Sequence, residues 1–274
     1  LEGKNMTETI LVTGGAGFIG SAVIRHILNT TDYTVVNIDK LTYAGNEDSI
    51  PVGLRTSKYI FKRIDICDPY LVADVLSTYR PSYIMHLAAE SHVDRSIDSP
   101  DEFMKTNIMG TYCLLEQSRM YYNSLSDEFK RQFRFHHIST DEVYGDVTEG
   151  EHLETDILKP SNPYSATKAA ADMLVKSAHR TYGIPYIITR TCNNFGIGQH
   201  EEKFIPKIKK CLQENKHIPV YSPGNQVREW IHVNCNCEAI YKLMMSDKVN
   251  EIYNIGSGKR YTNLEVINIL DKDN

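Results

Sequence analysis

Tyr164 and Lys168 stand four residues apart, one helical turn, and a pair of this kind can move a proton. A free tyrosine titrates at about pH 10 and is a poor base at neutrality. A neighbouring ammonium favours the phenolate and lowers that pKa. The pair can then take a proton from a hydroxyl whose carbon gives up hydride. Ser161-Asn162-Pro163 just ahead is a helix-start pattern, which places both side chains on one face. The same spacing also arises by chance on exposed helices, so it carries weight only beside other groups. Those groups are Thr140, Asp141 and Glu142, at the end of the strand-like run Phe133–Ser139. Ligands of open α/β sheets bind beyond the carboxyl ends of strands. Thr140 there can hydrogen-bond the reacting hydroxyl. A regular strand sends Asp141 and Glu142 to opposite faces, so a shared site requires the chain to leave extended geometry, as Tyr144-Gly145 suggests. The alternative for the acids is capping the next turn.

A second group of residues has phosphate chemistry. Thr13-Gly14-Gly15-Ala16-Gly17-Phe18-Ile19-Gly20 follows the apolar run Thr9–Thr13 and opens a helical stretch. Glycine admits the turn and lets a pyrophosphate approach bare backbone at a helix N-terminus. Asp39 ends the next strand-like run, Thr34–Asp39. A carboxylate there accepts from both ribose hydroxyls and repels a 2′-phosphate, which favours NAD over NADP.

The elements that must position these groups alternate. Strand-like runs at Tyr59–Ile64, Tyr83–Leu87, Phe133–Ser139 and Tyr186–Arg190 are separated by helical patterns at Pro69–Tyr79, Phe103–Tyr122 and Tyr164–Tyr182. That order predicts an α/β fold, a Rossmann-type doubly wound parallel sheet with a smaller mixed α/β lobe. The NAD-binding part is expected over 6–190, with about 225–245 returning to it, and a substrate lobe over 191–274. Leu1 to Asn5 precede Met6 and are read as a cloning scar.

The 274 residues carry a net charge of -5, which argues against a nucleic-acid binder. No apolar run nears the ~20 residues that span a bilayer. Cys235 and Cys237 lack a second ligand pair, so no metal site is expected, and the six cysteines read as reduced thiols of a cytoplasmic protein.

Tyr164, Lys168 and Thr140 with the glycine loop resemble the short-chain dehydrogenase/reductase superfamily. Thr140-Asp141-Glu142-Val143-Tyr144-Gly145 resembles the motif of its nucleotide-sugar 4,6-dehydratases; epimerases and decarboxylases of that group lack the acid pair. Asp39 through Asn46, Asp65 through Asp68 and His86 through Ser96 are similar to stretches of the same family, as are Thr106-Asn107, Asn193-Asn194, Glu202 through Pro206, Val220-Tyr221, Arg228-Glu229-Trp230 and Asn263. The stretches Asp39–Asn46 and Ala88–Ser96 tilt the resemblance to members that act on dTDP-glucose rather than UDP- or GDP-sugars.

The resemblance implies an NAD-dependent hydro-lyase: oxidation at C4, loss of water across C5–C6 and return of hydride to C6. It implies Tyr164 as base at O4, Lys168 holding it as phenolate, Thr140 orienting O4, Glu142 as base at C5 and Asp141 as acid at the C6 hydroxyl. For NAD it implies Gly14, Gly17, Phe18, Ile19 and Gly20, then Asp39, Lys40, Leu41 and Thr42 at the ribose, Asp65 and Ile66 at the adenine, and Leu87, Ala88, Ala89, Ser91, Thr106, Tyr164, Lys168 and Asn194. For the nucleotide sugar it implies Ser91, Asp94, Thr140, Asn193, Lys203, Phe204, Val220, Tyr221, Arg228 and Asn263. It makes His92 a loop residue, and it implies a homodimer through a four-helix bundle, with Ala166, Ala169, Ala170 and Ala171 allowing close approach.

Gly196-Ile197-Gly198 and Asn234-Cys235-Asn236-Cys237 depart from the family pattern, and the chain stops before the family's usual carboxyl end, so the lobe is expected to be incomplete. A UDP-glucose 4,6-dehydratase, a 4-epimerase and a redox-inert NAD-binding regulator are the competing readings.

Overall fold

The structure, a computed structural model, describes residues 8–146, 150–220 and 224–272. Leu1–Asn5 and Tyr221 lie outside them. The chain runs β1 (Thr9–Thr13), α1 (Phe18–Thr30), β2 (Thr34–Asp39), β3 (Tyr59–Arg63), α2 (Pro69–Tyr79), β4 (Tyr83–His86), α3 (Val93–Asp98), α4 (Pro100–Phe103), α5 (Thr111–Ser124), α6 (Asp127–Gln132), β5 (Arg134–Thr140) and α7 (Pro163–Tyr182). It continues through β6 (Tyr186–Thr191), β7 (Asn193–Phe195), α8 (Phe204–Gln213), β8 (Val227–His232), α9 (Val233–Met244), β9 (Glu251–Ile255), β10 (Arg260–Thr262) and α10 (Asn263–Lys272).

β1 to β6 and β9 form a sheet in the order β3-β2-β1-β4-β5-β6-β9, every pair parallel. Both faces of such a sheet are covered, so β1 is apolar on both sides. Ile10 and Val12 pack with residues of α1 and α9, while Leu11 on the other face packs with residues of α2, α5 and α7. The strand order reverses between β1 and β4, so the crevice at the carboxyl ends of these strands is the place for a ligand. α9 and β9 return to the main sheet, whereas residues 227–232 form β8 of a small sheet, β10-β8-β7. No helix among the described residues is long and apolar enough to cross a membrane.

One site helix has sharply defined ends, and another departs from α-helical spacing. Asn162 caps α7 through a reciprocal capping box with Ser165, Pro163 occupies the first turn, and Gly183 at φ 74° ends the helix. The helical pattern expected over Phe103–Tyr122 is instead α4 and α5 joined by a π-helical segment, Met104–Gly110. The wider turn places Thr106, Asn107 and Gly110 all on the buried side, which α-helical spacing does not do. A β-carbon on Gly110 would lie 2.6 Å from Ile66 Cδ1.

Candidate active site

The glycine loop joins β1 to α1 and is held open by steric need. Gly14 has φ 72°, and a β-carbon there would lie 2.6 Å from the backbone of Ala88. A β-carbon on Gly20 would overlap the Gly14 carbonyl. The loop therefore presents bare backbone to the first turn of α1, where an anion is stabilised by free N–H groups. At the end of β2, Asp39 Oδ2 accepts from Ala16 N (3.0 Å) and Oδ1 from Leu41 N (2.8 Å). Burial raises the Asp39 pKa and these two bonds oppose it. Each oxygen retains a lone pair for a ribose hydroxyl. Leu41 takes φ 57° to make its bond, and Lys40 and Thr42 rather than Leu41 line the cavity.

A buried relay fixes the opposite wall. The Ala88 amide donates to Thr13 Oγ1 (3.2 Å), and Thr13 Oγ1 lies 2.8 Å from His86 Nδ1. Thr111 Oγ1 lies 2.9 Å from His86 Nε2 and donates to Asn107 O (2.7 Å). Thr111 has spent its proton, so it accepts from Nε2–H and the Thr13 hydroxyl donates to Nδ1, which makes the imidazole neutral. Burial, then the Lys168 charge, push its pKa down to about 3. Asn107 in the π segment accepts from Glu90 N (2.8 Å) and donates to Glu90 O and to Thr167 Oγ1, while Thr167 donates to Tyr164 O. The loop after β4 and the first turn of α7 are thus pinned together.

Tyr164, Lys168, Thr140 and Glu142 line the same cavity, of about 320 Å³. Thr140 ends β5 and its Oγ1 accepts from Glu142 N (3.2 Å), so Asp141–Tyr144 leave the strand as a 3₁₀ turn. Burial, then the Glu142 carboxylate, push Asp141 up to about 7. Lys168 is 4% exposed, donates to Ile138 O (2.7 Å), and is pushed down to about 8 by burial. Burial, then Glu142 and Asp141, raise the Tyr164 pKa, and a hydrogen bond from Thr140 opposes them.

Gly14, Gly17, Phe18, Ile19, Gly20, Asp65, Ile66, Leu87, Ala88, Ala89, Ser91, Thr106, Asn193, Asn194 and Lys203 line this cavity as well. Lys203 Nζ donates to Ser91 O (2.8 Å), and the Asp94 charge acts on Lys203. Phe204, Val220, Arg228 and Asn263 are not in its wall. Phe204 stacks on Trp230, Val220 lies beside Gly224, and Asn263 pairs with Gln226 at the start of α10. Arg228 is exposed on β8, though its charge reaches Asp141. The wall also includes Glu90, Gln199, His200 and Glu202, none of them among the expected site residues, although Glu90 and Glu202 lie in family-like stretches. Glu202 gathers His92 (3.6 Å), Arg95 (3.3 Å) and His200 (3.7 Å), and Arg95 lies 3.6 Å over the Tyr43 ring. The adjacency of Glu202 to Lys203, and of Glu90 to Ala89 and Ser91, was the available signal.

A model of the family described as GDP-mannose 4,6 dehydratase matches residues 11–273. The chain belongs to this family of nucleotide-sugar dehydratases. Among relatives in the family, dTDP-glucose 4,6-dehydratase of Neisseria gonorrhoeae is 50% identical over 97% of this chain and 77% of its own length. That of Shigella flexneri is 48% identical over 94% of this chain and 74% of its own. The crystal structure of DesIV, the dTDP-glucose 4,6-dehydratase of Streptomyces venezuelae with NAD and TYD bound, superposes with a TM-score of 0.88 at 40% identity, covering 96% of this chain and 80% of that one. A UDP-glucose 4-epimerase of Thermotoga maritima with UDP-glucose reaches 0.85 at 29% identity, covering 96% and 82%. The fold is therefore shared by dehydratases and epimerases.

Proposed function

We propose that the chain is an NAD-dependent dTDP-glucose 4,6-dehydratase, which forms the 4-keto-6-deoxy nucleotide sugar. The observation that carries this is the 3₁₀ turn that brings Glu142 into the wall beside Tyr164 and leaves Asp141 half-buried beside it, its pKa raised to about 7. A 4-epimerase has no need of a proton donor for a departing hydroxyl. The glycine loop that a β-carbon would fill, and the buried Asp39 with lone pairs to spare, fit NAD. Gly14, Gly17 and Gly20 hold its diphosphate, Asp39, Lys40 and Thr42 its ribose, and Asp65 and Ile66 its adenine. When bound, NAD supplies a positive charge and an acceptor that takes hydride from C4 and returns it to C6. Tyr164 takes the O4 proton, with Thr140 orienting that hydroxyl. Glu142 takes the C5 proton, Asp141 in its protonated form gives one to the departing C6 hydroxyl, and a proton finally returns to C5. Lys168 provides the fixed positive charge behind Tyr164. Ser91, Asn193 and Lys203 face the sugar nucleotide, and Arg228, outside the cavity wall, is the guanidinium that would have to move in to pair with its diphosphate. The main sheet with α9 and β9 forms the cofactor-binding part, and the small sheet with α8 and α10 forms the substrate lobe.

Incubation with dTDP-glucose is expected to give the 4-keto-6-deoxy product, identified by mass and by its ketone. Formation of the galacto isomer, or of nothing, would overturn the reading, and faster turnover of UDP-glucose would reassign the base. Gly20→Ala is expected to weaken NAD binding at least about tenfold, since overlap with the Gly14 carbonyl must be relieved at a cost of about 1.4 kcal/mol or more. Unchanged affinity by calorimetry would remove the loop from the cofactor site.

The chain is also expected to be a homodimer. α5 and α7 pack side by side, and the stretch from α4 to α7 exposes Met104, Met109, Tyr112, Met120 and Met173, each at least 42% accessible. Such a patch marks an interface. Ala169 and Ala171 are buried within the chain, so of the four alanines only Ala166 and Ala170 reach that surface. Light scattering at micromolar concentration should give twice the chain mass, and Tyr112→Asp with Met120→Asp should halve it. A monomer mass for the parent chain would contradict the assignment.

A further inference from the structure

Tyr164, Lys168 and Asp172 follow one another at four-residue intervals and so share one face of α7. The mechanism above uses the first two. Asp172 is fully buried, and its Oδ2 accepts from Arg190 Nε (3.0 Å), itself 2% exposed. Arg190 Nη1 donates to Tyr144 Oη (2.7 Å), and the guanidinium lies 4.7 Å over the Tyr144 ring. Tyr144 Oη in turn donates to Asn254 Oδ1 on β9 (2.7 Å). Tyr144 is the last residue of the turn that begins with Asp141 and Glu142. A continuous buried chain of contacts therefore runs from the helix that carries the base to the turn that carries the acids.

We propose that Asp172 is a positioning residue for the reaction, acting as the buried counter-charge of Lys168 and, through Arg190 and Tyr144, as the strut that holds the acid turn against α7. The inference rests on the dehydratase reading. A buried carboxylate–guanidinium pair is costly to desolvate, and an apolar pair would fill the same space, so packing alone does not account for it. Lys168, one helical turn before Asp172, is a second cation whose charge acts on it, after Arg190 and a Ser139 hydrogen bond. The groups that reach Lys168 are Asp172 from α7, His86 from β4, and His137 with the Ile138 carbonyl from β5. His86 and His137 are held neutral by burial and by Lys168. Burial lowers Lys168, and Asp172 is the charge that opposes it. His137 Nε2, 3.5 Å from Asp172 Oδ1, adds no charge of its own.

The test uses the full chain and four variants, Asp172→Glu serving as the conservative control. Asp172→Asn removes the counter-charge. Asp172→Asn combined with Arg190→Met does so without leaving an unpaired guanidinium, in case the single variant fails to fold. Tyr144→Phe cuts the strut but leaves the counter-charge. Lys168 is titrated by NMR with isotope-labelled lysine, and the pH profile of single-turnover C4 oxidation of dTDP-glucose, a step that does not use Asp141, is measured alongside. Both asparagine variants are expected to lower the Lys168 midpoint by about one pH unit and to move the alkaline limb of C4 oxidation the same way, with Asp172→Glu restoring both. Tyr144→Phe should leave the limb in place and slow dehydration relative to C4 oxidation by about tenfold, the effect of one charge-assisted hydrogen bond. A folded Asp172→Asn variant with Lys168 midpoint and limb unchanged would overturn the counter-charge, and an unchanged oxidation-to-dehydration ratio in Tyr144→Phe would overturn the strut. If the parent chain does not turn over dTDP-glucose, the functional reading fails, and the Lys168 titration still decides the counter-charge on its own.

Discussion

Tyr164→Phe is expected to bind NAD as the parent does and to form almost no NADH when mixed with dTDP-glucose. The substitution deletes one oxygen, the one that shares a hydrogen bond with Thr140 at the cavity wall. Ring packing against Phe103 is retained. Loss of a positioned base costs about 10²–10⁴-fold in rate. Burial, then the Glu142 and Asp141 charges, raise the Tyr164 pKa, so the phenol that Phe removes is protonated before cofactor and substrate arrive. Binding and oxidation should therefore separate cleanly in a single-turnover absorbance trace. NADH formation at the parent rate would exclude Tyr164 as the base.

The second large effect lies in the acid turn. Asp141→Asn and Glu142→Gln should still oxidise C4 but stall before water leaves, with bound NADH or 4-keto-glucose nucleotide accumulating and dehydrated product slowed by about 10²–10⁴-fold. Asp141 must carry a proton to act, and its pKa is pushed up to about 7. In the parent chain dehydration should fall as pH rises through that value, and Asp141→Asn should lack the limb. The linkage has a definite sign. A carboxyl whose folded pKa is raised favours the fold at low pH, and this contribution is lost as pH climbs from the ordinary carboxylate range through about 7. Asp141→Asn is therefore expected to melt higher than the parent above neutrality. Full turnover by both variants, or a parent melting temperature unaffected by the substitution at high pH, would remove the turn from the mechanism as drawn.

The parts of this arrangement visible in the sequence are those whose physics is local. A glycine loop between an apolar strand and a helix declares itself because only bare backbone fits, and Gly14, Gly17, Gly20 and Asp39 fall around one cavity. Tyr164 and Lys168 are one turn apart whatever surrounds them. The break in strand geometry after Thr140 was implied by two adjacent acids and a following Tyr-Gly. The rest depended on distant partners. The π segment has the same apolar pattern as an ordinary helix, and one extra residue per turn shows only when Asn107 and Thr106 are seen to face inward together. Phe204, Val220, Arg228 and Asn263 stand away from the wall because the small sheet and α8 set their directions, and those elements pack through contacts remote in sequence. Ala171 looked like a surface residue beside three other alanines, yet the helix face it shares is sealed inside the chain. The sign of the Tyr164 shift was illegible for the same reason: it needs the acids of a different segment.

The bond between Tyr144 and Asn254 joins residues 110 positions apart. During synthesis, the acid turn leaves the ribosome long before its anchor does. Until β9 docks against β6, the Tyr144 phenol has Arg190 but lacks Asn254, and the acid turn is tied to the sheet from one side only. Contacts of this sequence separation close late because the entropy of the intervening chain must be overcome first. On the roles proposed here, the nascent protein completes its glycine loop early and its acid turn late.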